Sequence, residues 1–385
     1  MRARSDRKGP GPPPTVTAGA WSIPRGLIVV LAVAAAVVAV AGVKAFADVL
    51  APVFLALMLT VAVQPLQRWV RGRGLPAWAG MAAALVAVWL ILILLVGALI
   101  VSAAQLATEL PNYSDRVTDL LAGVRSALAD AGVDTAQIHN MLSGFDVHKA
   151  VDLLQDVLRN LIGVLSNLFF VAALLLFMAI DGMAMGRKMA VVSATRPEIA
   201  YALTAFATGT RKYLVVSTVF GLVVAVFDGV ALWWLGVPLP VLWAVLSFIT
   251  NYIPNIGFLI GLVPPALLAL LDSGPALMIW VIVVYCVINF VIQSVIQPKY
   301  VGDSVGLSVT VTFLSLVFWS WVLGPLGALL AVPLTLLVKA LLLDIDPATR
   351  WVNVLIGDRS PAPAAEFEDR GYPGANPAGG TSPAG

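Results

Sequence analysis

Asp228 is the residue in this sequence that is best placed to bind a proton or a cation within an apolar environment. It is the one carboxylate well inside an apolar stretch, which begins at Tyr213 and ends near Gly236. An aspartate at the centre of a membrane costs about 2.5–3.5 kcal/mol, so its presence there indicates a function. Asp228 also lies shortly before Trp233 and Trp234, and tryptophan is enriched at membrane interfaces. Two hypotheses stay open: a proton or cation site, or a hydrated aspartate near the outer interface.

A row of polar side chains follows at helical spacing. Its members recur at every fourth position and therefore share one face of a helix: Tyr285, Asn289, Gln293 and Gln297. Amide side chains that faced lipid would lack hydrogen-bonding partners, so this face must contact protein or water. The row predicts either the lining of a pathway for a neutral, hydroxyl-rich solute or a set of hydrogen bonds between helices.

The apolar stretch 229–271 contains residues that interrupt a helix. Proline removes a backbone donor and clashes with the preceding turn, and neighbouring asparagine and glycine favour a turn. Breaks at membrane depth are tolerated where they line a cavity or are buried in protein, and they mark binding sites in transporters. A simple kink is the alternative. We expect a break at 251–257 whose residues line a solute pathway: Asn251, Tyr252, Pro254, Asn255 and Gly257.

Signatures of enzymes and metal centres are missing from the sequence. There is no Walker A motif, and the single cysteine, Cys286, excludes an intramolecular disulfide or a cysteine cluster. The two histidines, His139 and His148, lie outside the apolar stretches and lack a fixed ligand spacing. We therefore expect no enzymatic activity, no cofactor, no metal site and no nucleic-acid partner.

The composition places these residues in a membrane protein. Of the 385 residues, 60% are hydrophobic and 11% are charged, and the mean hydropathy is +0.95. Soluble proteins have about 45–50% apolar and about 25% charged residues, and about 20 apolar residues cross a bilayer. The charge-free stretches predict an all-α polytopic membrane protein with about six full spans, two broken or re-entrant hydrophobic hairpins and a small helical insert.

The pattern of charge and composition divides the chain into five parts. Tails rich in proline, glycine and charge are expected to be disordered. The parts are a tail at 1–24, first membrane helices at 25–104, a helical soluble insert at 105–159, a membrane transport region at 160–345 with breaks at 251–257 and 324–327, and a largely disordered tail at 346–385.

Charged residues also predict the orientation of the chain. Arginine and lysine are concentrated before the first span, at 68–73 and at 187–212, whereas the insert 105–159 has eight acidic and four basic residues. Basic residues in short loops mark the cytoplasmic side. We therefore expect both termini to be cytoplasmic and the insert to be extracytoplasmic.

Three blocks of sequence in the second half carry a family resemblance. They are Ile-Pro-Asn-Ile-Gly at 253–257, Pro-Lys-Tyr-Val-Gly at 298–302 followed by Val-Gly-Leu at 305–307, and Gly-Pro-Leu-Gly-Ala-Leu-Leu-Ala-Val-Pro at 324–333. In order and spacing the blocks resemble the signature of the AI-2E family of bacterial transporters, over about residues 26–345. The family motif and break residues in this sequence are Pro298, Gly302, Gly306, Gly324, Pro325, Gly327 and Pro333.

The resemblance implies a multi-pass protein of the bacterial inner membrane that forms homo-oligomers, including pentamers. Family members are associated with export of the quorum-sensing signal autoinducer-2, and others resemble sodium(lithium)/proton antiporters. The sequence departs from the family at Ser308-Val309, where many members have a His-Pro pair. It also has amides in the seventh span where some members have acidic residues.

These observations support three hypotheses of function. The leading one is a facilitator or exporter of a small polar organic solute such as autoinducer-2, because neutral amides suit a diol better than an ion. The second is a sodium(lithium)/proton antiporter, which requires Asp228 as its titratable group. The third is a non-transporting membrane scaffold that binds partners through its helical insert.

Overall fold

The structure is a computed structural model that describes residues 24–130, 147–254, 256–297 and 307–346, and positions 349, 352 and 356. Regular structure in these residues is entirely helical, and seven of the described helices are long and apolar enough to cross a membrane. The predicted all-α polytopic fold is confirmed. Nearly all of both predicted tails, and residues 131–146 of the insert, lie outside the described residues.

The first membrane helix belongs to a compact unit of its own, and the remaining helices belong to a second unit. Helix α1 (Arg25–Ala45) is apolar throughout, and most of its described side chains are exposed. The first half of the second unit contains α2 (Ala47–Gly72), α3 (Ala77–Glu109), a 3-10 turn (Leu110–Tyr113), α4 (Ser114–Asp130), α5 (Val147–Thr195) and α6 (Pro197–Trp234).

Helices α2, α3 and α5 pack against one another around a small apolar core. Its buried members come from all three helices: Ala56, Val88, Val171 and Leu175. Small residues such as alanine let helix backbones approach closely. Close packing is important in a membrane because the hydrophobic effect does not drive helices together in lipid. This three-helix group holds α3 in place, and α3 in turn packs against the second half of the unit.

The second half of the unit consists of shorter helices. They are α7 (Pro240–Thr250), α8 (Gly257–Ser273), α9 (Pro275–Asn289) with a π-helical segment (Phe290–Ile296), and α10 (Val309–Leu329) and α11 (Ala331–Lys339) with a second π-helical segment (Ala340–Asp344). Helix α6 packs against α7 and α9, and α8 packs against the same two helices. The chain is thus interrupted repeatedly where the sequence is almost free of charge.

The first break separates α7 from α8 and folds them into a hairpin. The 11 residues of α7 extend about 16 Å at 1.5 Å per residue, which is about half of the ~30 Å hydrocarbon core. Gly257 begins α8 directly against the end of α7, where a Cβ atom would overlap the carbonyl oxygen of Thr250. Gly261 lies against Ser247 and the Thr250 hydroxyl, so small residues allow close packing of the two helices.

The second break lies within α10. Gly324 has φ 68° and ψ −150°, a conformation outside the helical region that glycine adopts readily. A Cβ atom at Gly327 would overlap the carbonyl oxygen of Trp319. The Trp319 Nε1 group donates to the Thr335 hydroxyl at 3.1 Å and thereby joins α10 to α11. Pro325 follows the kink, and Pro333 is buried in α11.

The described part of the insert contacts the end of α8. The Tyr113 hydroxyl donates to Asp272 Oδ1 at 3.2 Å, and Arg116 donates to the Asp272 carbonyl oxygen at 3.1 Å. Beyond the undescribed residues, α5 begins at Val147 and continues without interruption to Thr195. One helix therefore contributes both to the insert and to the membrane region.

Replacement of Asp272 by alanine is expected to loosen the attachment of α4. A hydrogen bond of this kind contributes about 1 kcal/mol, so the opening equilibrium should rise about fivefold. Limited trypsin digestion at Arg116 and Arg125 measures the effect as a faster cleavage rate. Asp119→Ala, which removes an exposed carboxylate of α4, is the control and should leave the rate unchanged. Equal rates in the two variants would show that Asp272 does not hold the insert.

Candidate functional site

Local hydrogen bonds pair many of the backbone N–H and C=O groups in the turn between α7 and α8. The backbone N–H of Asn251 donates to the Ser247 carbonyl oxygen at 3.0 Å, and that of Ile253 donates to the Thr250 carbonyl oxygen at 2.8 Å. The backbone N–H of Gly257 donates to the Ile253 carbonyl oxygen at 2.9 Å. A buried backbone group without a partner is costly at membrane depth. These local bonds explain how the chain leaves the helix there while keeping a fixed path, and they place the side chains of the turn.

Tyr252 is held against α6 by two hydrogen bonds. The Tyr213 hydroxyl donates to the Tyr252 carbonyl oxygen at 2.6 Å, and the Thr218 and Tyr252 hydroxyls lie 2.6 Å apart. Phe248 packs edge-on against the Tyr252 ring with 5.6 Å between centroids. The ring and the backbone of Tyr252 are thus both positioned by neighbouring helices.

Asn251 joins three elements. Its Nδ2 group donates to the Ser217 carbonyl of α6 at 3.3 Å, and its Oδ1 atom accepts a hydrogen bond from Gln293 at 3.1 Å. Gly221 makes this approach possible, because a Cβ atom there would lie 2.8 Å from Asn251 Nδ2. The break and the polar row, which the sequence indicates separately, therefore meet at Asn251.

The polar row is buried at one end and partly exposed at the other. Tyr285 is 1% and Asn289 is 8% exposed, while Gln293 and Gln297 are half-buried. The Asn289 amide donates to the Tyr285 carbonyl at 2.9 Å, and Gln293 donates to Asn289 Oδ1 at 2.8 Å. Gln293 lies in the first π-helical segment, and such segments occur frequently at functional sites.

Asp228 is completely buried by protein, with 0% exposure. Its Oδ2 atom accepts a hydrogen bond from the Ser247 hydroxyl at 2.5 Å. This burial does not fit the hypothesis of a hydrated aspartate at the interface. Ser247 and Asn251 are four residues apart and share one face of α7, so Asp228 lies along the same face of α7 as the amide cluster.

Several predicted residues lie elsewhere or cannot be placed. Pro254 is half-buried in the turn between α7 and α8. Gly324, Pro325 and Gly327 lie in α10, which packs against α2, and Pro333 lies in α11, which packs against α6. The remaining candidates lie outside the described residues: Asn255, Pro298, Gly302 and Gly306.

The site also contains residues that the sequence reasoning missed. They are short polar side chains and one tyrosine on otherwise apolar helices: Tyr213, Ser217, Thr218 and Ser247. Tyr213, Ser217 and Gly221 recur at every fourth position, which places them on one face of α6. The same periodicity argument that found the row on α9 would have found this second row.

The arrangement has the chemistry of neutral hydrogen bonding. The amide and hydroxyl groups of Asn251, Tyr252, Asn289 and Gln293 can each donate and accept hydrogen bonds. Among the residues that the structure describes, no group of three or more His, Cys, Asp or Glu could hold a metal ion. The cluster suits a polar, uncharged molecule that offers hydroxyl or carbonyl groups.

Known proteins resemble this chain over most of its length. Residues 27–346 match the model of the AI-2E family of transporters. A Haemophilus influenzae protein named "Putative transport protein" is 32% identical over 85% of this chain and 95% of its own length. The Escherichia coli protein YhhT, which carries the same description, is 31% identical over 82% and 90%. The AI-2 transport protein TqsA of Escherichia coli is 30% identical over 87% and 96%. The chain therefore belongs to the AI-2E family of membrane transporters.

Proposed function

We propose that this protein transports a small, neutral, polar organic solute such as autoinducer-2 along the cluster formed by α6, the α7–α8 turn and the first π-helical segment. The observation that carries the proposal is the hydrogen bond between Asn251 and Gln293. It brings the broken segment and the polar row into one polar region inside a helix bundle. An interrupted helix at membrane depth is typical of binding sites in transporters.

The charge distribution favours an uncharged solute. Residues 229–271 and 273–297 contain no Asp, Glu, Lys or Arg, so these two segments contribute amides and hydroxyls rather than fixed charges to the pathway. A diol or a hydrated carbonyl compound can exchange hydrogen bonds with such groups without the large desolvation cost of an ion. The similarity to TqsA, which is named an AI-2 transport protein, supports this choice of solute.

Release of autoinducer-2 from liposomes tests the proposal. Liposomes that contain the purified protein are expected to release the trapped solute faster than protein-free liposomes. Gln293→Leu should reduce the rate about eightfold, since it removes two hydrogen bonds that contribute about 0.6 kcal/mol each. We propose that transport proceeds outward, and cells that express the protein should accumulate less of the solute than cells without it.

A second glutamine, outside the cluster's hydrogen bonds, provides the control for Gln293→Leu, because its replacement tests whether the loss of any glutamine amide slows transport. Gln105 is exposed on α3, and Gln105→Leu should transport at the rate of the unmodified protein. Release no faster than from protein-free liposomes would contradict the proposal. A cellular phenotype that then depended on residues 112–155 would favour the scaffold hypothesis.

A further inference from the structure

Arg211 of α6 is held by a neutral side chain of α2. Its Nη2 group donates to the side-chain oxygen of Gln64, and this contact joins two helices that pack against each other. The Nε group of Arg211 is buried and has no hydrogen-bonding partner among the described residues. Arginine has five N–H donors in a fixed fork, and a buried polar group without a partner calls for an explanation. The guanidinium therefore retains donors for a further acceptor.

No carboxylate among the described residues forms an ion pair with Arg211. The nearest acidic residues on α6 are Glu198, 13 positions before it, and Asp228, 17 positions after it, which is about 20 Å and about 26 Å along the helix axis. Two acidic residues in elements that pack against α6, Asp181 and Asp344, each pair with a lysine. A half-buried cation without a counter-ion favours an anion from outside the chain.

A second arginine lies on the same face of α2 as Gln64. Arg68 follows Gln64 by four positions and is exposed, and the Cβ atoms of residues at this spacing lie about 6 Å apart. The one acidic residue of α2, Asp48, lies 20 positions before Arg68, about 30 Å along the helix axis. The contact between Gln64 and Arg211 therefore brings two cationic side chains to one place between α2 and α6.

These arginines lie where the two helices leave the hydrocarbon core. The 23 positions from Arg211 to Trp234 extend about 35 Å, slightly more than the ~30 Å core. Trp234 is 85% exposed at the far end of α6, and Trp69, which follows Arg68 on α2, is 56% exposed. Tryptophan is enriched at membrane–water interfaces. Arg68 and Arg211 are therefore placed at the level of the lipid headgroups.

An exposed apolar strip continues from Arg211 along α6. Its members share the helix face of Arg211 at spacings of three and four residues, and each is at least 40% exposed: Val215, Val219, Leu222 and Val226. A cationic end followed by an apolar strip matches an amphiphile with an anionic head and hydrocarbon chains. A soluble anion such as inorganic phosphate would contact the cationic end alone.

We propose that Arg211 and Arg68 form a binding site for the phosphate group of an anionic phospholipid between α2 and α6. Gln64 holds one edge of the Arg211 guanidinium, and its remaining donors bind phosphate oxygens. Arginine binds phosphate through two parallel hydrogen bonds, and basic pockets between membrane helices bind anionic headgroups. The apolar strip contacts the acyl chains. The site goes beyond the proposed solute pathway and does not depend on it.

Titration of phosphatidylglycerol into the purified full-length protein in neutral detergent tests the proposal. Native mass spectrometry counts the bound lipids, and one phosphatidylglycerol per chain should bind about tenfold more tightly than phosphatidylcholine, whose headgroup has no net charge. Arg211→Gln should weaken this binding about tenfold, because hydrogen bonds to charged groups are the stronger ones. Arg68→Gln, which removes an exposed charge and leaves the packing of α2 intact, should weaken it about two- to fivefold.

Arg187→Gln is the matched control, because Arg187 is an exposed arginine of α5 and its loss changes the net charge by the same amount. This variant should bind phosphatidylglycerol as tightly as the unmodified protein. Equal affinities for phosphatidylglycerol and phosphatidylcholine would overturn the proposal, as would equal lipid binding by the unmodified, Arg68→Gln and Arg211→Gln proteins.

Two further outcomes would assign the site to another occupant and overturn the proposal. Inorganic phosphate that binds as tightly as phosphatidylglycerol would make the ligand a soluble anion. A change in the number of chains per assembly in Arg211→Gln, with unchanged lipid binding, would assign the apolar strip to a second copy of the chain. Because no autoinducer-2 is present, neither outcome affects the liposome release experiment.

Discussion

Replacement of Gly257 by alanine is expected to abolish transport and to lower the amount of folded protein in the membrane. The added methyl group would overlap the carbonyl oxygen of Thr250 at the end of α7. That oxygen also accepts the hydrogen bond from Ile253 that shapes the turn. A backbone carbonyl cannot move as a flexible side chain does, so the hairpin must open. Overpacking of a well-packed core typically costs about 1–3 kcal/mol, and displacement of backbone adds to it.

Thermal unfolding in detergent and the liposome release rate measure the effect of Gly257→Ala. Gly97→Ala is the control, because Gly97 lies in the middle of α3 and a Cβ atom there has no heavy atom within 4 Å. Alanine is favoured over glycine within a helix by about 1 kcal/mol, so this variant should be at least as stable as the unmodified protein. Similar melting temperatures and release rates for the two variants would show that α7 and α8 do not pack as closely at Gly257 as described.

Replacement of Asn251 by leucine is expected to reduce transport about tenfold or more. Leucine has nearly the same shape but cannot donate to the Ser217 carbonyl or accept from Gln293. Both partners lose a hydrogen bond inside the bundle, and an unsatisfied buried group costs about 1–3 kcal/mol. The effect is expected to exceed that of Gln293→Leu because Asn251 also connects α6 to the polar row.

A double-mutant cycle tests whether this effect arises from the contact itself. The variants are Asn251→Leu, Gln293→Leu and both together, and unfolding free energies should show a coupling of about 0.6 kcal/mol or more. Asn112→Leu, in the exposed 3-10 turn after α3, should have little effect on transport. If the effects of the two single changes on the unfolding free energy were strictly additive, the side chains of Asn251 and Gln293 would not interact.

The sequence is sufficient to predict the local features of the site. The spacing of Tyr285, Asn289 and Gln293 predicts a common helical face, and the structure places them in a hydrogen-bonded row. Proline and glycine near Asn251 predict an interrupted helix, and α7 does end at Thr250. These features depend on residues close in the chain, for which helical periodicity and backbone preferences are informative.

The relations between helices could not be predicted in the same way. That Asn251 contacts Ser217 and Gln293, or that Asp228 accepts a hydrogen bond from Ser247, depends on which faces of α6, α7 and α9 are turned toward one another. Serine and threonine are common in membrane helices and carry little information about their partners. Periodicity can find the row of Tyr213, Ser217 and Gly221 on α6, but the helix that this row faces is known only from the packing of α7 against it.

The continuity of α5 has a mechanical consequence for the insert. The charged residues near Arg159 end the apolar stretch, and for that reason the sequence divides the insert from the membrane region there. The backbone continues as one helix of 49 residues, about 74 Å long at 1.5 Å per residue. Its membrane portion packs against α2 and α3 through Val171 and Leu175. A force that tilts the portion at 147–159 is therefore transmitted along the continuous helix to this packing.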